Sequence, residues 1–108
     1  MAKVLYVVFT RPAEGQEPDY NRWYDEQHLG DVLKVPGFVA AQRFQVVGDN
    51  AMPAPYLAIY EVETEDPEGI RARLEALAGS AAMPVSPAMD MERVAASVFR
   101  PITERRIA

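Results

Sequence analysis

A chain of 108 residues, 49% of them hydrophobic, can build one core and has no room for a second, so residues 1–108 read as a single domain. The net charge of −5 argues against a nucleic-acid partner, and the absence of cysteine excludes disulfides, thiolate metal sites and a cysteine nucleophile. Few apolar residues separate Lys3 from Thr10, Arg11 and Pro12, which is unlike a signal peptide, and no apolar run approaches the ~20 residues of a membrane span; a cytoplasmic protein with no membrane partner is the expectation.

Lys3 to Thr10 is β-branched and aromatic on both alternating sets, which predicts a first strand buried on both sides. Arg11 to Pro18 reads as a loop, and Asp19 as the N-cap of a helix running from Tyr20 to Leu29. Gly30 is the expected stop or kink, after which Asp31 would cap a short turn through Val35. Phe38 to Val47 predicts a second strand, Gly48-Asp49-Asn50 with Pro53 and Pro55 a hairpin connection, and Tyr56 to Val62 a third strand. Asp66-Pro67 is a helix start, and Ile70, Leu74 and Leu77 give that helix an apolar stripe that should end near Gly79. Ser80 to Asp90 reads as an ordered loop, and Val94 to Pro101 as the last strand.

The order β-α-β-β-α-β predicts a ferredoxin-like α+β fold, a four-stranded antiparallel sheet with two helices on one face. Two helices cover only one face of such a sheet. The first strand is apolar on both faces, and Leu57, Ile59 and Val62 leave little polar alternation in the third. A second copy of the chain, packed through the open sheet face as a homodimer, is the simplest cover.

Within Asp19 to Phe38, which holds the only Trp and the only His, helical spacing stacks Tyr20, Tyr24 and His28 on one face. Such a polar-tipped aromatic face is either a core seam or the wall of a pocket. The run from Tyr20 to Leu29, followed by Asp31, Leu33, Val35-Pro36-Gly37-Phe38 and Arg43-Phe44, resembles the signature of small EthD-like proteins of the dimeric α+β barrel superfamily. Gly30 stands where that family commonly has proline. The resemblance implies a small apolar cavity between the first helix and the sheet in each protomer, faced by His28. Relatives include cofactor-independent monooxygenases, polyketide cyclases, muconolactone-type isomerases and haem-degrading enzymes.

His28 has the one side chain whose ordinary pKa lies near neutrality, which makes it the candidate general acid or base; the alternative is a buried histidine tying helix to sheet. Tyr24, one turn earlier, is the second catalytic candidate, as a hydrogen-bond donor to an oxyanion or enolate. Tyr20 is expected nearer the pocket mouth. Asp31 either orients the imidazole from i+3 or caps the next turn. Asp25 and Glu26 fall away from this stripe toward solvent, and Trp23 is expected to pack on the helix flank. Tyr6 and Tyr60 reach the cavity if their strands have the right parity. An inward Arg43 would bind a carboxylate or phenolate, and an outward one would pair across the dimer. Met83, Met89 and Met91 form either an adaptable lid or core filling. No metal-ligand spacing and no nucleotide fingerprint is present, and no cofactor is expected, although one His can serve as an axial haem ligand, as in some relatives. The expected partner is a small apolar, aromatic or polyketide-like molecule. It would undergo cyclisation, isomerisation or oxygenation, or simply be carried by a non-catalytic binding protein.

Overall fold

β1 (Ala2–Thr10) occupies an inner position of a four-stranded sheet in the computed structural model, which describes residues 1–48 and 54–108. It pairs antiparallel with β3 (Tyr56–Thr64) on one side and β4 (Ala95–Phe99) on the other; β2 (Phe38–Gln45) adds antiparallel to the far side of β3, giving the order β2-β3-β1-β4. This is the ferredoxin-like arrangement expected from the element order.

Register decides which side chains meet. Tyr6 lies opposite Tyr60 and Val4 opposite Val62, so the buried set Val4, Tyr6, Thr10, Ala58, Tyr60 and Val62 shares the face toward the helices. The alternate set, Leu5, Val7, Phe9, Leu57 and Ile59, forms the open face, which no helix covers. A register shift between Phe38 and Ala40 places a bulge in β2 and leaves Val39 exposed.

The first helical rod is longer than the sequence suggests. It runs without a break through α1 (Glu17–Trp23), a π-helical turn (Tyr24–His28) and α2 (Leu29–Leu33). The start is Gln16, which makes no side-chain cap, with Pro18 in the first turn; Asp19 is therefore inside the helix rather than its N-cap. Gly30 neither stops nor kinks the rod, because it keeps ordinary helical geometry inside α2. Asp31 consequently caps nothing and stands one turn beyond His28 on a continuous helix.

The second helix begins as Asp66 and Pro67 indicate: the Asp66 carboxylate accepts from the Gly69 amide, a 3₁₀ turn covers Pro67–Gly69, and α3 follows over Ile70–Leu77. Buried Ile70 and Leu74 face the sheet. Strand ends differ by small amounts from expectation. β2 stops at Gln45, β3 continues to Thr64, and a 3₁₀ turn at Met91–Arg93 delays β4 to Ala95. Most of the predicted hairpin connection, Asp49, Asn50 and Pro53, lies outside the described residues.

Candidate functional site

The space between the first helical rod, the sheet and the 80–93 segment is a cavity of about 330 Å³. Tyr6, Val8 and Thr10 of β1 and Tyr60 of β3 form its floor, as the parity of Tyr6 and Thr10 requires. Tyr24, His28 and Val32 descend from the rod, and Leu74 and Ala78 close the side toward α3. The remaining wall is soft: Met83, Val85, Met89 and Met91 come from the loop and turn before β4, so all three singled-out methionines meet here.

The π-helical turn shapes the polar end. The Leu29 amide donates to the Tyr24 carbonyl, five residues back instead of four, and this added residue widens the turn that carries Tyr24 and His28. The His28 ring lies flat against Trp23, centroids 4.6 Å apart, and edge-on to Tyr24 at 5.0 Å. Trp23 is thus a clamp on the imidazole, and its indole N–H donates to the Pro84 carbonyl at 3.3 Å, tying the clamp to the loop wall.

Burial sets the protonation states. It pushes His28 down to about 4, against the opposing pull of the Asp31 carboxylate, so the imidazole is neutral at pH 7. Burial raises Tyr24 to about 12 and, with help from Glu75, Tyr6 also to about 12; Tyr60 is driven up further by burial. The cavity therefore presents one neutral imidazole and three neutral phenols.

Among the described residues His28 Nδ1 is buried and makes no hydrogen bond, and the buried Tyr60 hydroxyl makes none of good geometry, its neighbour being the Tyr24 hydroxyl, which bears on its protonation. One carboxylate oxygen of Asp31 is also buried and unpaired, although Asp31 does not itself line the cavity. An unsatisfied buried polar group costs on the order of 1–3 kcal/mol, so this concentration within one turn of helix and the facing strand is costly to the free protein.

Tyr20 and Arg43 fall outside the cavity. Tyr20 is fully buried between Tyr24 and Tyr56, and its hydroxyl is paired with the Thr10 hydroxyl. Arg43 points to the helix side of β2, yet its guanidinium is occupied: it donates to Asp25 at 2.6 Å and to Asn21 at 2.8 Å, and it lies 4.4 Å from the Tyr24 ring centroid. Asp25 is exposed but not idle, since it holds that arginine. Arg43 thus fastens the first rod to β2 beside the cavity. At the opposite rim Arg71 and Glu75 pair at 3.0 Å. Sequence reasoning passed over this i, i+4 pair, and it also passed over Thr10 and Val85. Thr10 was legible from its parity with Tyr6, whereas nothing in the 80–90 segment marks Val85.

No protein-family model matches the chain, and no curated protein matches it. Among solved structures it is similar to the haem-degrading protein MhuD of Mycobacterium tuberculosis with two haems bound, at 16% identity and TM-score 0.62, covering 95% of this chain and 99% of that one. A mutant of MhuD with two manganese protoporphyrin IX bound per active site gives 17% identity and TM-score 0.61, over 95% and 98% of the two chains. An EthD-family protein of Bacillus halodurans gives 11% identity and TM-score 0.58, over 94% of this chain and all of that one (100%). Identities this low speak for the fold alone, and the chain shares the α+β fold of these structures.

Proposed function

We propose that the protein binds a small, mostly apolar carbonyl or phenol compound in the cavity beneath the π-helical turn and acts on it by proton transfer, as a cofactor-independent isomerase or cyclase. One observation carries the reading. Among the described residues, a buried imidazole nitrogen without a hydrogen bond and a buried phenol without a well-formed one line the same apolar cavity. A ligand offering one donor and one acceptor there would relieve both.

The chemistry follows from the protonation states. Neutral His28 accepts a proton from carbon next to a carbonyl, and the electron pair moves into an enolate whose oxygen accepts from Tyr24 or Tyr60. Asp31, whose carboxylate pulls the His28 pKa upward against burial, would favour the imidazolium that forms. Return of the proton to another carbon gives an isomer; attack of the enolate carbon on a second carbonyl of the same molecule breaks that C=O π bond and gives a ring, the imidazolium of His28 returning its proton to the alkoxide that forms. Desolvation favours an uncharged ligand. With a volume of about 330 Å³, the cavity sits at the small end of the ~300–1,000 Å³ typical of ligand pockets, which suits one or two rings.

A second reading has its own support. A histidine held down to about 4 is a weak base at neutral pH, which favours a carrier that binds the same compounds without converting them. Both readings take the protein as a homodimer through the open sheet face, where Phe44 and Phe99 are 41% and 53% exposed beside Leu5, Leu57 and Ile59.

The test uses β-diketones, phenols and small aromatic acids, followed by the fluorescence of Trp23 and by product analysis. One class should quench Trp23, and Tyr60→Phe should weaken its binding by about tenfold, the worth of one buried hydrogen bond. His28→Ala should abolish turnover while binding persists. Turnover unchanged by His28→Ala would overturn the proton-transfer role. Binding without any product in the native protein would select the carrier.

A further inference from the structure

Residues 101–108 leave β4 as an arm without regular structure in which every residue is exposed, Ile102 by 90% and Ile107 by 80%. At the root of the arm a groove of about 370 Å³ crosses one end of the open sheet face. Leu5, Val39, Phe99 and Pro101, together with Val4 and Val62, supply its apolar lining. Glu61 and Glu63 line it as well, together with Lys3 and Arg100. Among the described residues Glu61, Glu63, Arg105 and Arg106 all lack ion-pair partners.

We propose that the arm is a reciprocal clasp: Ile102 to Ile107 of one copy lie in the open-face groove of the other. This rests on the dimer reading above and extends it to a segment outside the sheet. Three observations converge. The arm carries two aliphatic side chains with nothing to cover them in its own copy, and the groove offers an exposed apolar floor. The charges match in both senses, Arg105 and Arg106 with Glu61 and Glu63, and Glu104 with Lys3. The groove is also continuous with the face that would be buried between sheets.

A copy cannot readily serve itself. Its arm leaves the groove at Pro101, so self-docking would need the chain to fold straight back on the residues it has just left. At ~3.3 Å per residue the extended arm reaches roughly 20 Å, enough to cross onto a neighbour, and two-fold symmetry makes the exchange mutual.

The chain has no cysteine, so single thiols report directly on the arrangement. V39C and I107C proteins are mixed under mild oxidation, with sedimentation measured in parallel on the native chain. A disulfide-linked V39C–I107C heterodimer in high yield, with little product when S86C replaces V39C, is expected. R105E/R106E should weaken the dimer several-fold to about tenfold, and E61R/E63R in the same chain should restore it. A native chain that sediments as a dimer yet gives no heterodimer cross-link overturns the clasp and leaves the sheet interface standing. A native chain that is monomeric overturns both. A monomeric V39C/I107C double variant that links within one chain shows self-docking and also overturns the clasp.

Discussion

His28 is the only histidine of the chain, and its surroundings turn an ordinary titration into a stability term. Its pKa falls from 6.5 to about 4 on folding because burial disfavours the imidazolium. The unfolded chain therefore binds a proton in the window that the folded chain refuses. Stability is full above about 6.5 and declines as the pH falls toward about 4, by an amount on the order of 3 kcal/mol at most. Chemical denaturation of the native chain between pH 7 and 5 should show this slope, and His28→Gln should flatten it. An equally steep slope in the variant would mean that the imidazole is not desolvated. The sequence marks His28 and its aromatic company through the spacing of Tyr20, Tyr24 and His28. It gives no sign that Trp23 would stack on the imidazole or that Arg43 would be held by Asp25 and Asn21, because both contacts depend on how the rod is rolled over β2.

Two glycines show how an element overrides a local propensity. Gly30 reads as a helix breaker, yet the rod continues through it to Leu33, held by the buried Tyr20, Tyr24 and Val32 on its inner face. A Cβ added at Gly30 would meet nothing within 4 Å, so Gly30→Ala should stabilise the protein by about 0.5–1 kcal/mol. Gly37 is the opposite case. Its φ is +93° and an added Cβ would stand 2.6 Å from the Glu63 carbonyl oxygen, while its own carbonyl accepts from the Glu63 amide at 2.8 Å. Gly37→Ala should cost roughly 2 kcal/mol or more, through strain at the joint between rod and β2. Thermal melts of the two variants should move in opposite directions. The Pro36-Gly37 turn was legible because turn chemistry is local; the π-helical turn was not, because an extra residue in a helix leaves no compositional mark.

At the scale of the whole molecule the unequal faces of the sheet are what the proposed dimer rests on. The ferredoxin-like arrangement was readable from the order of the elements, and the uncovered face from the lack of polar alternation in β1, since Leu5, Val7 and Phe9 cannot all be hidden by helices that already lie over Val4, Tyr6 and Val8. Phe44→Glu combined with Phe99→Glu places two carboxylates on that face. Sedimentation should change from dimer to monomer, with the circular dichroism of the fold retained. A native chain that already sediments as a monomer would remove the premise.

The cavity has two kinds of wall. The sheet floor and the helical rod are fixed by register and by the core, whereas Met83, Val85, Met89 and Met91 come from a segment that meets the frame at few points, among them the Ala13 amide to the Ala88 carbonyl at 2.7 Å, Arg11 with Asp90, and the Pro12–Met89 bridge. Those stitches hold the far end of the segment to the loop after β1, while the earlier stretch is held by the Trp23 indole at the Pro84 carbonyl and by Met83, which is buried in the core. On the proposed reading the proton-transfer side is built into the fold, whereas ligand preference would be set by residues 83–91, where Met83, Ala88 and Met89 serve the core and the cavity wall at once.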